Sequence, residues 1–315
     1  MTFAAIDVGG SASRLQLSAE SEQTEIVIDG PALEVGASGI EAGLLVAALM
    51  AKLEYQRSQD RRAVPRAIVI GMSGLLGLVD RPGEIATAIR AVWPSVRIAV
   101  ASDATTALVG AIGMQGGAVV AAGTGVIGLG SDLHDIWHRA DGWGYLLGDE
   151  GGGAWIGIEG LKAALQAFDG RPGGSSRLLA AATSRFGPAL TIPRLIYPRI
   201  DRAKMLASFA PDVLRLAEEG DRVASAIRSL AVENLVQTAF GALVDGVPRR
   251  VCLVGGIRRA GSGILDPFER RLLEAGIEVT KPLGDPLAGA AVLAAELERD
   301  PSRIPDKPPF IMRGS

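Results

Sequence analysis

The chain is poor in the residues that build most metal and redox centres. Its 315 residues include one cysteine, Cys252, and two histidines, His134 and His138. A single cysteine excludes an internal disulfide and any multi-cysteine metal site. The histidines are four apart, as metal ligands on a helix would be. That segment has no helical signature and no third ligand nearby, so both read as surface or structural residues. Cys252 lies in an apolar strand and reads as core. Basic residues number 32 against 35 acidic, a net charge of −3, which argues against a broad nucleic-acid-binding face. No apolar run reaches the roughly 18 residues of a membrane span. The start, MTFAAIDVGG, lacks the basic n-region of a signal peptide, so the expectation is a soluble cytoplasmic protein. Only five basic residues are lysine: Lys52, Lys162, Lys204, Lys281 and Lys307. None follows a glycine, which excludes a GxxxxGK[ST] phosphate loop. Any nucleotide chemistry must use a different cradle.

Glycine is what the chain has in excess. There are 41, about twice the usual ~7%. They cluster beside apolar runs, which points to turns where backbone approaches something closely. With 48% hydrophobic and 21% charged residues the chain can bury a sizeable core, and its length suggests two domains at roughly 150 residues each.

Periodicity predicts strands at 3–8, 14–17 and 25–28, then a helix at 40–55 with Ile40, Leu44, Leu45, Ala48, Leu49 and Leu53 on one face. A strand at 67–71, a helix at 84–93, a strand at 97–101 and a helix from Asp103 to about 112 follow. A glycine-rich break at 113–117 is the predicted boundary, giving domains 1–113 and 114–285. The pattern then restarts with a strand at 118–122, the turn Gly123-Thr124-Gly125 and a strand at 126–130. AAIDVGGSASRLQL from residue 4 resembles AVVAAGTGVIGLGS from residue 118, which suggests a duplicated domain. Helices are predicted at 155–168, 175–186, 204–219, 221–243, 268–275 and 286–297, and strands at 250–254 and 278–281. Residues 300–315 are Pro-rich and read as an irregular tail. Alternating strands and helices imply an α/β fold, twice over.

Several segments can carry chemistry. Asp7-Val-Gly-Gly-Ser11 ends a strand; Gly9 and Gly10 let N–H groups point at an anion, Ser11 adds a hydroxyl, and Asp7 is a hard oxygen ligand suited to Mg²⁺. An ordinary hairpin is the plain alternative. Gly123-Thr124-Gly125 is the matching turn in the second half. It also fits GxGxxG, but that fingerprint needs a following helix and VIGLGSD reads as strand. Asp103 follows a strand and reads both as a helix N-cap and as a general base. GWGYLLGDEGGGAW, from Gly142 to Trp155, interleaves aromatics, an acidic pair and six glycines. A ring to pack on C–H faces and acids to accept from hydroxyls suit a sugar. Gly255-Gly256 ends a strand where a flat ring or its sugar could approach backbone.

Taken in order, IDVGGSASR, ASDATTALVGA, VVAAGTGVIGLG, GWGYLLGDEGGGAWIG and CLVGGI resemble the BadF/BadG/BcrA/BcrD ATPase group, over about residues 4–295. Within it the chain is most similar to N-acetylglucosamine and glucosamine kinases. The resemblance implies an actin/hexokinase/Hsp70-like fold: two ribonuclease-H-like domains with ATP in an interdomain cleft, and the 286–297 helix returning to the first domain. It implies that Gly9, Gly10 and Ser11 contact phosphates, that Asp7 positions Mg²⁺, and that Gly123, Thr124 and Gly125 hold the other phosphates. Asp103 matches the base, and Ser73, Gly142, Trp143, Gly144, Asp149 and Glu150 match the sugar side. Gly255 and Gly256 match the adenosine side. A homodimer is the common assembly in the family. One departure bears on the acceptor: Leu33 falls at or near the position of a sugar-bonding Asn, with Glu34 beside it. N-acetylmuramic acid, glucose and a non-enzymatic sensor are the competing readings. Relatives that activate radical dehydratases use two cysteines per subunit for an iron–sulfur cluster, which Cys252 alone cannot supply.

Overall fold

A computed structural model describes residues 2–9, 12–18, 26–30, 42–59, 63–75 and 83–314. The chain divides into two compact units. Unit 1 comprises Met1–Gly116, Ser131–Trp137 and Lys281–Ser315; unit 2 comprises Gly117–Gly130 and His138–Thr280.

In unit 1 the order is β1 (Phe3–Val8), β2 (Ser13–Ser18), β3 (Ile26–Gly30), α1 (Ala42–Gln59), β4 (Ala67–Met72), α2 (Gly83–Val92), β5 (Arg97–Ser102) and α3 (Asp103–Ile112). Unit 2 is built on β6 (Gly117–Ala122), β7 (Val126–Ser131), β8 (Trp137–Asp141), α4 (Gly153–Phe168), α5 (Ser176–Phe186), α6 (Ile192–Ile196), α7 (Arg202–Ala207), α8 (Ala210–Glu218), α9 (Arg222–Ala242), β9 (Arg250–Val254), α10 (Ser262–Glu274) and β10 (Glu278–Val279). The chain then returns to unit 1 with α11 (Pro286–Arg299) and β11 (Ile311–Gly314).

The sheets are ordered β11-β5-β4-β1-β2-β3 and β10-β9-β6-β7-β8. Without β11 the two orders are the same, so the repeat in the sequence is a repeat of topology. β1 pairs antiparallel with β2 but parallel with β4, and β4 parallel with β5. Parallel neighbours need helical crossovers and burial on both faces. AIVIGM in β4 meets that demand, with all six residues buried. Ile6, Val8, Leu15, Leu49, Ile68, Ile70 and Ile98 form the core of unit 1. Val120, Ala154, Phe209, Leu235, Leu253 and Phe268 anchor that of unit 2.

Four expectations change. Residues 300–315 are not an irregular tail: Ile304 and Ile311 are buried, and β11 pairs antiparallel with β5, where it covers an otherwise open edge. The segment 131–137 belongs to unit 1, because Lys307 Nζ bonds Asp135 Oδ1 at 3.0 Å and Phe310 stacks on Trp137 with centroids 5.8 Å apart. Residues 281–285 go with it: Leu283 and Gly284 N–H groups donate to the Ala111 and Gly110 carbonyls. The helix expected over 204–219 is two, α7 and α8; Pro211 has no N–H to offer the Ala207 carbonyl, so one helix cannot run through. Finally, α1 buries Ala42, Val46, Leu49, Met50 and Leu53 and exposes Leu44, a rotation of the predicted apolar face.

Candidate active site

Within unit 1, strand register brings several of the predicted site residues together. Val8 pairs with Met72, and Met72 with Ser102. The three parallel strands end level, so Gly9, Ser73 and Asp103 follow side by side at their carboxyl ends, where open α/β sheets bind ligands. Ser73 N–H donates to the Val8 carbonyl at 2.9 Å, which ties two of these ends together.

Asp103 is the first residue of α3. The N-cap is Ser102, whose Oγ accepts from Thr105 N–H at 3.1 Å, so the capping role the sequence allows Asp103 falls one residue earlier. That leaves the Asp103 carboxylate to accept from Ala104 N–H at 2.8 Å and from the Ser73 hydroxyl. Burial pushes its carboxyl above the usual aspartate range; the Ser73 and Ala104 donors oppose the shift, and the nearby charge of Asp7 adds to it. A carboxylate raised in this way is a suitable proton acceptor.

Asp7 is half-buried near the end of β1. Arg14, its cross-strand partner on β2, sits between two carboxylates: Nη2 is 2.9 Å from Asp7 Oδ2 and Nη1 is 2.5 Å from Asp285 Oδ2. Burial pushes Asp7 up, against the pull of Arg14. Asp285 caps α11 by accepting from Ala288 N–H at 3.0 Å. Burial pushes Asp285 up too, but the Ala288 N–H and Arg14 outweigh it and hold the carboxyl below its ordinary range. Asp285→Ala removes the cap and should lower stability by about 1 kcal/mol in thermal unfolding. The ion pair adds little, because Arg14 is 35% exposed. Since Asp285 is held low, that loss should be full at neutral pH and fade as pH falls through the carboxylate range.

No group of three or more His, Cys, Asp or Glu among the described residues could hold a metal ion. Mg²⁺ characteristically takes one or two carboxylates, phosphate oxygens and waters, a set to which the half-buried Asp7 carboxylate would contribute one oxygen ligand. Gly9 N–H closes the β1–β2 turn on the Ala12 carbonyl at 3.0 Å. Gly10, Ser11, Leu33 and Glu34 lie outside the described residues.

In unit 2 the second glycine turn closes with Gly123 N–H on the Gly125 carbonyl at 2.9 Å. It docks on the start of α4, where Gly153 and Ala154 N–H groups donate to the Gly123 and Thr124 carbonyls at 2.8 and 2.9 Å. The strand β7 follows the turn, where a dinucleotide fingerprint would need a helix. Thr124 is exposed, and a Cβ on Gly123 would meet nothing within 4 Å. β6 and β9 are parallel neighbours in which Ala121 pairs with Val254. The turn at Gly255 and Gly256 therefore lies beside the turn at 123–125. Gly255 has φ +94° and packs on the Ala122 carbonyl, whereas Gly256 faces open space.

The loop over 142–150 is braced by Asp149. Its carboxylate accepts from Gly144 N–H at 3.0 Å and from Val126 N–H, and it packs so closely on Gly125 that no side chain fits there. Its own N–H donates to Asp141 Oδ1 at 2.8 Å. Burial pushes the Asp149 carboxyl up, despite these donors. Asp149 thus ties the loop to the turn at 123–125, a structural use the sequence did not foresee. Glu150 is exposed. Trp143 is 63% exposed, with the Arg139 guanidinium 4.0 Å over its ring. Gly142 and Gly144, at φ +78° and +85°, hold Trp143 between two left-handed turns. His134 and His138 are exposed and Cys252 is buried, with its thiol pushed up by burial.

Arg14, Asp285 and Asp141, which sequence reasoning did not single out, are joined to the candidate residues Asp7 and Asp149 by these contacts. Opposite charges equidistant from the first turn could have revealed Arg14. Asp285 carried only the ordinary signal of an Asp-Pro helix start.

Two units on the same strand order define the actin/hexokinase-like class of α/β folds. A ROK family glucokinase from Streptomyces griseus, solved with glucose and AMPPNP, shares this fold at TM-score 0.59 and 18% identity, over 94% of this chain and 100% of that one. The profile of the BadF/BadG/BcrA/BcrD ATPase family matches residues 5–294, and the chain belongs to that family. A structure assigned as an N-acetylglucosamine kinase from Chromobacterium violaceum is similar at TM-score 0.73 and 28% identity, covering 93% of this chain and 98% of that one. The N-acetyl-D-glucosamine kinase of Dictyostelium discoideum is 26% identical over 83% of this chain and 85% of its own. The N-acetylmuramic acid/N-acetylglucosamine kinase of Clostridium acetobutylicum is 41% identical over 105 residues; that match spans 33% of this chain and about a third, 34%, of the relative. No described helix is long and apolar enough to cross a membrane.

Proposed function

We propose that this chain is an ATP-dependent sugar kinase that transfers the γ-phosphate of Mg·ATP to the 6-hydroxyl of N-acetylglucosamine or glucosamine, with Asp103 as the base. The observation that carries it is the setting of Asp103: half-buried, raised by burial, held by Ser73 and Ala104, at the level carboxyl ends of three parallel strands. The family and its kinase relatives support the reaction class.

Phosphoryl transfer asks for in-line positioning and neutralised charge rather than covalent work by the protein. In this reading Asp103 takes the hydroxyl proton as the sugar oxygen bonds to phosphorus and the bond to the ADP oxygen breaks. Ser73 keeps the Asp103 carboxylate aimed. In this reading Gly123, Thr124 and Gly125 present backbone to phosphates and Gly255 and Gly256 accept the adenosine side, while the sequence resemblance assigns Gly9, Gly10 and Ser11 to phosphate contact as well. Asp7 would hold Mg²⁺, which when bound neutralises phosphate charge. Trp143, between Gly142 and Gly144, packs on the sugar and Glu150 accepts from a hydroxyl, on a loop set by Asp149.

A second acceptor, N-acetylmuramic acid, is favoured by one finding: the 41% identical relative carries both sugars in its name. Coupled ADP release with Mg·ATP against N-acetylglucosamine, glucosamine, N-acetylmannosamine, N-acetylmuramic acid and glucose decides between them. Turnover should be strongest with one of the first two. A preference for N-acetylmuramic acid would establish the second acceptor, and silence across the panel with ATP still bound would overturn the kinase reading.

A further inference from the structure

We infer that the C-terminal segment 307–314 is a positioning device for Asp103, and that Thr105 and the Phe310 carbonyl are its working parts. The inference rests on the proposal that Asp103 is the base. The family match ends at residue 294, so this segment lies outside the part of the chain that the family defines.

The argument begins with register. β11 pairs with β5 so that Ile311 lies opposite Ala101 and Gly314 opposite Ile98, which brings Phe310 level with Ser102. One carbonyl, that of Phe310, then accepts twice: from Ser102 N–H at 2.8 Å and from the Thr105 hydroxyl at 2.9 Å. Ser102 Oγ is 2.9 Å from Thr105 Oγ1 and accepts from Thr105 N–H at 3.1 Å. With the Thr105 proton directed at Phe310, the Ser102 hydroxyl donates to Thr105. Ser102 and Thr105 are both fully buried. The four contacts close a ring around the first turn of α3, and Asp103 is the first residue of that turn.

The segment is itself well anchored. Phe310 and Ile311 N–H groups donate to the Lys307 carbonyl at 2.9 and 3.1 Å, and Lys307 N–H donates to the Ile311 carbonyl at 2.8 Å. Phe310 stacks on Trp137, Lys307 bonds Asp135, and Ile311 is buried. Covering the open edge of β5 would explain a strand here. It would not call for a buried hydroxyl reaching from the first turn of α3 to that strand. Small displacements of a reacting group are costly, about 10²-fold in rate for 1 Å, so fixing this turn has a kinetic consequence.

The test uses the full chain carrying Thr105→Val or Thr105→Ser, and a chain ending at Asp306. Amide exchange is followed in the ligand-free protein, and kcat, KM for ATP and the acid limb of the pH–rate profile are followed with the best sugar. Thr105→Val and the shortened chain should lose about 10- to 100-fold in kcat, keep KM for ATP within twofold, and displace the acid limb. Thr105→Ser should restore kcat to within threefold. Exchange at Ser102–Thr106 should quicken at least tenfold in the shortened chain; if that chain does not fold, Thr105→Val carries the test. A lowered Tm with unchanged kcat and acid limb would mean that β11 is an edge cover only, and would overturn the inference. If the wild-type protein phosphorylates no sugar, the kinase reading fails separately. Exchange alone then decides: quickening confined to 102–106 supports a device that fixes this turn, and no change overturns it.

Discussion

Asp103→Asn should lower kcat by about 10²- to 10⁴-fold while ATP binding stays within a few-fold of wild type. The amide keeps both contacts of the carboxylate, since its oxygen can accept from Ala104 N–H and its nitrogen can donate to Ser73 Oγ. What it lacks is the capacity to take a proton. Burial is the main cause of the raised Asp103 carboxyl, so the charged form is the one the fold disfavours. The native state therefore holds this proton to higher pH than the unfolded chain does. Stability associated with Asp103 is greatest below the ordinary aspartate range and falls as pH rises towards the raised native value. The asparagine variant should then match or exceed the wild-type Tm at neutral pH, with the advantage shrinking in acid. For the same reason the acid limb of wild-type kcat should lie above the ~3.9 of an unperturbed aspartate. Turnover within threefold of wild type in the variant would remove Asp103 from the chemistry.

Gly289→Ala should be the most destabilising glycine-to-alanine change among the described residues of unit 1. α11 packs on α3, β1 and β4. At the crossing, a Cβ on Gly289 would lie on the Thr106 carbonyl oxygen and 2.6 Å from Gly110 N, while a Cβ on Gly110 would strike the Asp285 carbonyl. These are backbone atoms, which have no rotamer to escape into. The helices must separate, and they carry Asp103 and Asp285 at their starts. Overpacking of this kind costs roughly 1–3 kcal/mol, and the rigid contact places Gly289 at the upper end. Thermal unfolding should show a Tm drop of several degrees, with kcat reduced at temperatures where the variant remains folded. Gly83→Ala is the control: a Cβ there meets nothing within 4 Å, and at the start of α2 the methyl should leave Tm unchanged or raise it slightly, never lower it. An unshifted Tm for Gly289→Ala would mean that the crossing has slack.

Much of this was legible in the sequence because the signals were local and doubled. The strand–turn–strand resemblance between residues 4–17 and 118–131 pointed to two similar units, and the sheets carry the same strand order. The start of α3 was legible from Ser102-Asp103 after an apolar strand, although which of the two caps it depends on side-chain geometry. What could not be read was set at long range. Arg14 meets Asp285 across 271 positions, and Phe310 meets Thr105 across 205. Proline-rich composition concealed β11, because four residues of strand pairing outweigh local turn preference once β5 offers an open edge. Asp149 was recognised as important from its motif, but the motif gave no hint that its carboxylate faces its own loop.

The most direct test of the central claim is the identity of the product. The wild-type protein is incubated with Mg·ATP and N-acetylglucosamine, and the products are read by phosphorus NMR with proton coupling. The account predicts a monophosphate whose phosphorus couples to the two C6 protons, formed in equal amount with ADP and lost in Asp103→Asn. Inorganic phosphate in place of a sugar phosphate, or a phosphate coupled to the C1 proton, would contradict it.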